Sequence, residues 1–146
     1  MKITWLIIAL ISGAFLPIQA GLNTRMGKAI ESPVHASLIS FIVGAFTVLL
    51  YSVVTKQQVT WAGFRSAPAY VLLAGVMGAF YVTAIILTFP QIGPALTFGI
   101  VVAGQMIMSV LLDHFDILVA QQHSVNVWKL LGIVLIITGV VIIRKF

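Results

Sequence analysis

The chain has 146 residues, of which 61% are hydrophobic and 8% are charged, and its formal net charge is +5. Its mean hydropathy of +1.17 is that of a membrane protein, and the connections between its apolar stretches are too short to hold a soluble domain. With no cysteine in the sequence, disulfides, thiolate chemistry and cysteine-ligated metal are excluded.

Five long apolar stretches predict five membrane-spanning helices. In chain order they cover residues 3–22, 34–54, 69–88, 94–112 and 127–143. Each is close to the roughly 17–25 apolar residues that a helix needs to cross a hydrocarbon core of about 30 Å. Uninterrupted runs lack the alternation of barrel strands. The sequence therefore predicts an all-α polytopic membrane protein, with one five-helix transmembrane domain over residues 1–146.

The first stretch contains a proline and two amides. Lys2 and the apolar run after it have the outline of a secretory signal, but the run is longer than a signal core, so we expect a first membrane helix. Pro17 lies inside this helix and should kink it. Gln19 and Asn23 follow one turn apart, so they should share a face.

Small residues spaced four apart predict close packing of the next three helices, because lipid gives helices little other reason to associate. The three stripes are Ala36, Ser40 and Gly44; Gly75, Ala79 and Thr83; and Ala95, Gly99 and Ala103. Between the third and fourth helices, Pro90 and Pro94 bracket three residues and predict a tight, uncharged connection.

The fourth stretch carries Gln105 and Ser109 one turn apart, near mid-membrane, where polar side chains avoid lipid. At about 100° per residue, Gln105 lies roughly 120° from the centre of the small-residue stripe on the same helix. This helix should therefore pack with one face and present its amide on another. Trp5 and Tyr81 are candidate walls of the same cavity. Alternatively, the amides only bond neighbouring helices, each contributing about 1 kcal/mol.

Charged and ligating side chains lie near helix ends. Asp113 ends the fourth helix, and His114 and Asp116 follow it, but consecutive helical residues point in different directions. His35 and His123 are near other helix ends without the spacing of metal ligands, so we predict no metal site. Asp113 is either a structural cap or loop anchor, or a proton or cation site.

No motif for catalysis is present. A nucleophile with its base, a phosphate-cradling glycine loop and paired catalytic carboxylates are all missing from the sequence. We therefore expect neither an enzyme nor a cofactor, and no ATP-driven transport by this chain alone. The eight lysines and arginines are scattered over both membrane faces, which favours contact with lipid head groups over nucleic acid.

The distribution of positive charge leaves the orientation open. Four of these residues fall on the side of the N-terminus and four on the other side: Lys2, Lys56, Arg65 and Lys129, against Arg25, Lys28, Arg144 and Lys145. An even split can arise by chance. However, a five-helix unit has its ends on opposite sides, and many transporters are two inverted repeats with the substrate between them. We therefore predict an antiparallel, dual-topology homodimer of ten helices, one chain supplying both halves of a 5+5 inverted repeat.

Five blocks of the sequence form a recognisable pattern: Pro17-Ile18-Gln19 with Asn23 and Gly27, Phe41-x-x-Gly44, Pro90-x-x-Gly93-x-Ala95, Gly104-Gln105-x-x-x-Ser109-x-x-x-Asp113-His114-Phe115, and Gly132 with Gly139. Together these blocks resemble a known family, the YdcZ-like five-helix family of the drug/metabolite transporter superfamily. The resemblance covers almost the whole chain, and its most specific part is the block from Gly104 to Phe115.

The resemblance implies a multi-pass protein of the bacterial inner membrane, half the size of the ten-helix members of the superfamily, some of which move small metabolites or drugs. The family's motif positions are occupied by Gln19, Asn23, Gln105, Ser109 and Asp113. Asp116 departs from the pattern, because a glycine is expected after the phenylalanine, and this puts the loop geometry in doubt.

A related branch, the small multidrug resistance transporters, carries a proton-binding glutamate in its first helix. Here no carboxylate lies inside any span, and a neutral amide cannot exchange a proton, so that coupling mechanism is not transferred. Coupling either runs through Asp113, or uses another ion, or is absent.

Together these features predict a small transporter that works by alternating access. Gln19, Asn23, Gln105 and Ser109 would bind a neutral, zwitterionic or amphipathic solute between Trp5 and Tyr81. Two other functions stay open: a membrane scaffold or assembly protein, which would need the small-residue faces but not the amides, and a passive channel.

Overall fold

The computed structural model describes residues 2–118 and 125–146, except for the side chain of residue 2, and no strand occurs in these segments. Its helices are α1 (Lys2–Ala29), α2 (Pro33–Val54), α3 (Trp61–Ser66), a 3-10 turn (Ala69–Leu72), α4 (Leu73–Ile92), α5 (Pro94–Phe115) and α6 (Val127–Lys145). The all-α prediction is confirmed.

Five segments are long and apolar enough to cross a membrane, which confirms the predicted number of spans. They are α1, α2, α5, α6 and the segment formed by the 3-10 turn and α4. Between 0 and 17% of the most apolar window of each span is buried within the chain, so lipid or another chain must cover most of the apolar surface.

Two spans extend well beyond their predicted ends. Helix α1 continues past residue 22 to Ala29, because its last turns contain no proline and their charged side chains, Arg25 and Lys28, are exposed. Helix α4 continues through Pro90 to Ile92, so the three-residue connection predicted between Pro90 and Pro94 is wrong. The connection is the single residue Gly93, whose φ of +79° and ψ of 164° suit only glycine.

Three helices end on a non-glycine residue in the left-handed conformation, at Glu31, Lys56 and Asp116. After α1, the Ser32 amide donates to Gly27 O at 2.9 Å, and the Glu31 amide donates to Lys28 O at 3.4 Å. This pair of bonds is the Schellman ending, which satisfies carbonyls left free by the helix. Ser32 then caps α2, since its Oγ accepts from the His35 amide.

Asp116 explains the one departure from the family pattern. It has φ of +55° and ψ of 40° at the end of α5, and the amide of the next residue, Ile117, donates to Leu112 O at 3.0 Å. Glycine is the usual residue here because it has no Cβ to clash, but aspartate tolerates this conformation better than most residues. The loop geometry that the missing glycine put in doubt is thus retained.

The chain divides into two compact units, residues 1–91 and residues 92–146. In the first unit α1 packs on α2 where Gly27 leaves room: a Cβ on Gly27 would lie 3.4 Å from Pro33 Cα and 3.6 Å from Ala36 Cβ. Helix α4 joins them through a hydrogen bond of 3.0 Å from Thr83 Oγ1 to Ser37 Oγ. The single domain predicted for the whole chain stays a prediction.

The second unit is the pair α5 and α6, which meet at Gly99. A Cβ on Gly99 would lie 3.0 Å from Val140 Cγ2, so the α5 backbone approaches α6 as closely as a glycine allows. Beside this contact runs an apolar groove of about 440 Å³. Its lining contains no polar side chain: Ala95, Phe98, Gly99, Val102, Ile136, Gly139, Val140 and Ile143.

Candidate solute-binding site

A groove of about 660 Å³ opens along α2 in the first unit. Gln19 of α1 and Val82 of α4 border it, and the rest of its lining comes from α2: Ser40, Phe41, Gly44, Ala45, Val48, Leu49 and Ser52. These α2 positions recur every three or four residues, so they form one face of the helix over about three turns. We refer to it as the Gln19 groove.

Only three polar side chains line the Gln19 groove. The Ser52 hydroxyl donates to Leu49 O at 3.0 Å, within its own helix. The Gln19 amide and the Ser40 hydroxyl form no hydrogen bond with any residue in the described part of the chain. The groove therefore presents one amide and one hydroxyl that need a partner.

The groove residues on α2 were missed as a site by sequence reasoning. Ser40 and Gly44 belong to a small-residue stripe that predicted helix packing, yet only Ala36 of that stripe is buried, at 1% exposed. The sequence feature that could have indicated the groove was the combination of this stripe on α2 with the Gln19 amide on α1. Spacing shows that small residues share a face, but not which part of that face a neighbouring helix covers.

Gln19 and Asn23 are placed in different surroundings. Gln19 is exposed at the groove, whereas Asn23 is 9% exposed and lies inside the unit. Beside Asn23, the Thr24 Oγ1 is buried without a hydrogen-bond partner among the described residues. Of the two predicted amides of α1, Gln19 is thus accessible and Asn23 is not.

The predicted aromatic walls lie at different depths. Tyr81 is half-buried, and its Oη is buried without a hydrogen-bond partner in the described segments. It directly precedes Val82, which borders the Gln19 groove. Trp5 is 67% exposed and lies fourteen residues before Gln19 on α1, about 21 Å away at 1.5 Å per residue. The roles of both aromatic residues stay predictions.

The second unit holds the remaining predicted site residues. Gln105 and Ser109 are exposed on α5, and Asp113 follows one turn later, 25% exposed. Lys129 Nζ, on the first turn of α6, lies 3.1 Å from Asp113 Oδ2. The α6 turn itself is capped by Asn126, whose Oδ1 accepts from the Lys129 amide at 2.9 Å. This geometry fits a structural anchor, and an ion-binding role of Asp113 stays a prediction.

Several other hydroxyls in the spans are engaged within the protein, among them those of Thr83, Thr88 and Thr97. Thr83 bonds Ser37 across helices, Thr88 Oγ1 donates to Ala84 O at 2.9 Å, and Thr97 Oγ1 donates to Gly93 O at 2.6 Å. Within residues 2–118 and 125–146 no group of three metal-ligating side chains is found, and His123 lies outside the described residues.

Comparison with known proteins decides the family. The family described as "Putative inner membrane exporter, YdcZ" matches residues 4–142, nearly the whole chain. The chain belongs to this YdcZ family. Inner membrane protein YdcZ of Escherichia coli (strain K12) is 30% identical over 125 residues, which cover 83% of this chain and 78% of that protein. No solved structure matches.

Membership of the YdcZ family confirms the resemblance seen in the sequence and agrees with the five spans. The protein is a multi-pass protein of the inner membrane. The family description points to a transporter rather than to an enzyme.

Proposed function

We propose that the protein is a small transporter that moves a neutral, zwitterionic or amphipathic solute by alternating access, as an antiparallel homodimer. The exposed polar side chains Gln19, in the first unit, and Gln105 and Ser109, in the second, are the groups that bind the solute, and the roles of Asn23, Tyr81 and Trp5 stay predictions. The description of the YdcZ family as exporters favours outward transport.

The observation that carries this proposal is the exposure of Gln19 and Gln105 within apolar spans. Hydrocarbon chains cannot form hydrogen bonds with an amide, so an amide facing them is costly. A cavity that admits water and solute removes this cost. A scaffold that packs only through its small-residue faces would leave both amides unpaired in lipid.

The antiparallel arrangement is supported by the odd number of spans and by the balance of positive charge. Five crossings would place four lysines and arginines on each side of the membrane, or three against four without Lys129, which is paired with Asp113. Neither orientation is strongly favoured, so both can be present in one membrane. Two inverted copies then supply the repeat on which alternating access depends.

Counterflow tests the transport activity and separates a carrier from a passive channel. A thermal-shift screen of purified protein first identifies a stabilising solute, which is then loaded into proteoliposomes. A carrier exchanges internal for external solute against its gradient, whereas a channel only lets it equilibrate.

Substitution of Gln105 separates a transporter from a scaffold. We expect Gln105→Leu to fold stably, to lose the solute-induced thermal shift and to abolish exchange. The matched control is Gln57→Leu, which makes the same chemical change in a connection outside the spans. Full exchange by Gln105→Leu would contradict the role of this amide.

Accessibility of the C-terminus tests the dual orientation. A tag placed after Phe146 should be reached by an impermeant reagent from both sides of the membrane, in comparable amounts. A tag found on one side only would reject the antiparallel dimer, while leaving the transport activity to be decided by counterflow.

A further inference from the structure

The Gln19 groove has the size and lining of a small-molecule site. Its volume of about 660 Å³ falls within the range of roughly 300–1,000 Å³ typical of ligand pockets. Its long wall is apolar, with Phe41, Val48 and Leu49 on one face of α2. The polar groups are confined to two serines and Gln19.

Two of these polar groups are available to form hydrogen bonds with an occupant of the groove. The Gln19 amide offers two donors and one acceptor, and the Ser40 hydroxyl offers a donor and an acceptor. No described residue bonds either group. A lipid acyl chain lying in the groove would leave both unsatisfied, at a cost of about 1–3 kcal/mol each.

The lining also restricts the charge of the occupant. No aspartate, glutamate, lysine, arginine or histidine borders the groove among the described residues. A charged group of either sign entering it would have no counter-charge, and a charge at membrane depth costs about 2.5–3.5 kcal/mol even on the most lenient scale. A zwitterion would bring two such charges.

We infer that the Gln19 groove binds an uncharged amphipathic solute, with its polar head on Gln19 and Ser40 and its apolar body along Phe41, Val48 and Leu49. Gly44 leaves space in the groove, because it has no side chain and a Cβ built there would meet no atom within 4 Å. The inference rests on the proposed function and narrows its substrate class, since it excludes zwitterions and ions from this groove.

The lack of cysteine in the chain allows a test without background labelling. The Ser40→Cys variant in lipid nanodiscs is reacted with three methanethiosulfonates of similar size: the neutral 3,3-dimethylbutyl reagent, its cationic isostere the trimethylammonium-ethyl reagent, and the anionic sulfonatoethyl reagent. Rates are followed by intact mass and divided by those of Gln57→Cys in the exposed connection after α2. This ratio removes the intrinsic reactivity of each reagent.

We expect the normalised rate of the Ser40→Cys variant to be at least about tenfold higher for the neutral reagent than for either charged one. Ser12→Cys is the control for a lipid-facing thiol: Ser12 is exposed on α1, its hydroxyl bonds its own helix, and it does not line the groove. It should react slowly with all three reagents.

A second substitution ties the labelling to the groove itself. Gly44→Leu in the Ser40→Cys background should fill the groove and lower the neutral rate by about tenfold. Gly13→Leu is the matched control, because a Cβ at Gly13 also meets no atom within 4 Å but Gly13 does not border the groove. Thermal unfolding of both double variants verifies that they fold.

Two results would overturn the inference: equal normalised rates for charged and neutral reagents in the Ser40→Cys variant, or labelling of that variant no faster than labelling of Ser12→Cys. Labelling requires neither transport nor a dimer, so the two proposals fail separately. If the groove labels as expected but the protein shows no counterflow, only the transport proposal is rejected. If the protein shows counterflow but the thiol in the groove does not react, only the inference about the groove is rejected.

Discussion

Lys129 Nζ lies 3.1 Å from Asp113 Oδ2, which ties the first turn of α6 to the last turn of α5. Both side chains are half-buried, at 28% and 25% exposed. The bond closes the end of the α5–α6 pair opposite the C-terminus. Asp113 thus has a structural partner whether or not it also takes part in ion binding.

A double-mutant cycle on this pair measures its strength. We expect Asp113→Asn and Lys129→Gln together to show a coupling of about 1 kcal/mol in the free energy of unfolding, because partly buried ion pairs exceed most exposed ones. Unfolding in mixed micelles is the measurement, and Asp116→Asn is the control, since Asp116 is exposed. Zero coupling at low salt would show that the pair does not hold the helices together.

The contact between Gly99 and Val140 predicts that α5 does not accept a larger residue. Gly99→Ala places a Cβ about 3.0 Å from Val140 Cγ2, closer than ordinary van der Waals contact, and should lower stability by roughly 1–3 kcal/mol. Val140→Ala should restore most of this loss, because it removes the opposing methyl groups. Gly104→Ala, on an open part of α5, should be neutral or stabilising. A loss at Gly99 without rescue would argue against this contact.

The single-residue connection between α4 and α5 predicts a strict need for glycine. Gly93 has φ of +79° with ψ of 164°, a conformation that a Cβ strains by roughly 1–3 kcal/mol. Gly93→Ala should therefore lower the thermal unfolding temperature in detergent. Gly75→Ala, inside helix α4 with open space at its Cβ, should raise it or leave it unchanged. Equal effects at both glycines would contradict the strained connection.

The left-handed conformation of Asp116 predicts that replacing it with glycine stabilises the protein. Glycine adopts the left-handed conformation at the end of α5 without steric cost, so Asp116→Gly should raise the free energy of unfolding by up to about 1 kcal/mol. Asp116→Ala should not raise it, because alanine lacks both the freedom of glycine and the local hydrogen bonding of aspartate. Comparison of the two variants by denaturant unfolding separates the backbone effect from the loss of charge.

The hydrogen bond from Thr83 to Ser37 predicts a modest loss on removal. Thr83→Val deletes an interhelical hydrogen bond of 3.0 Å, and the Ser37 hydroxyl, on a residue that is 4% exposed, loses the donor of that bond. The free energy of unfolding should therefore fall by about 1 kcal/mol. Thr138→Val is the control, since its hydroxyl bonds Val134 O in the same helix. If both variants lost the same stability, the effect would reflect the residue type and not the contact.

Much of the architecture is predictable from the sequence, because membrane helices are selected by a local property. Each span must bond its own backbone and present an apolar surface about 30 Å long, and both requirements are visible in one continuous segment. The helix ends were less predictable. Helix α1 reaches Ala29 and α4 passes Pro90, since hydropathy falls before the backbone stops being helical.

The candidate site was predicted only in part. Gln19 was chosen for its chemistry and is exposed at a groove, but Asn23, chosen for the same reason, is buried inside the unit. Ser40 and Gly44 were assigned to packing and border the groove instead. Spacing along one helix cannot distinguish these cases, because the covering residues come from another helix.

The sequence by itself determined the number of spans, their apolar character, the balance of lysine and arginine and the family, since these depend on composition over short windows. Only the tertiary structure decided which amide stays accessible, which small residue meets a partner and that Lys129 reaches Asp113 across sixteen positions. Contacts between distant segments depend on how side chains of different helices fill a shared volume, and no local pattern encodes that volume.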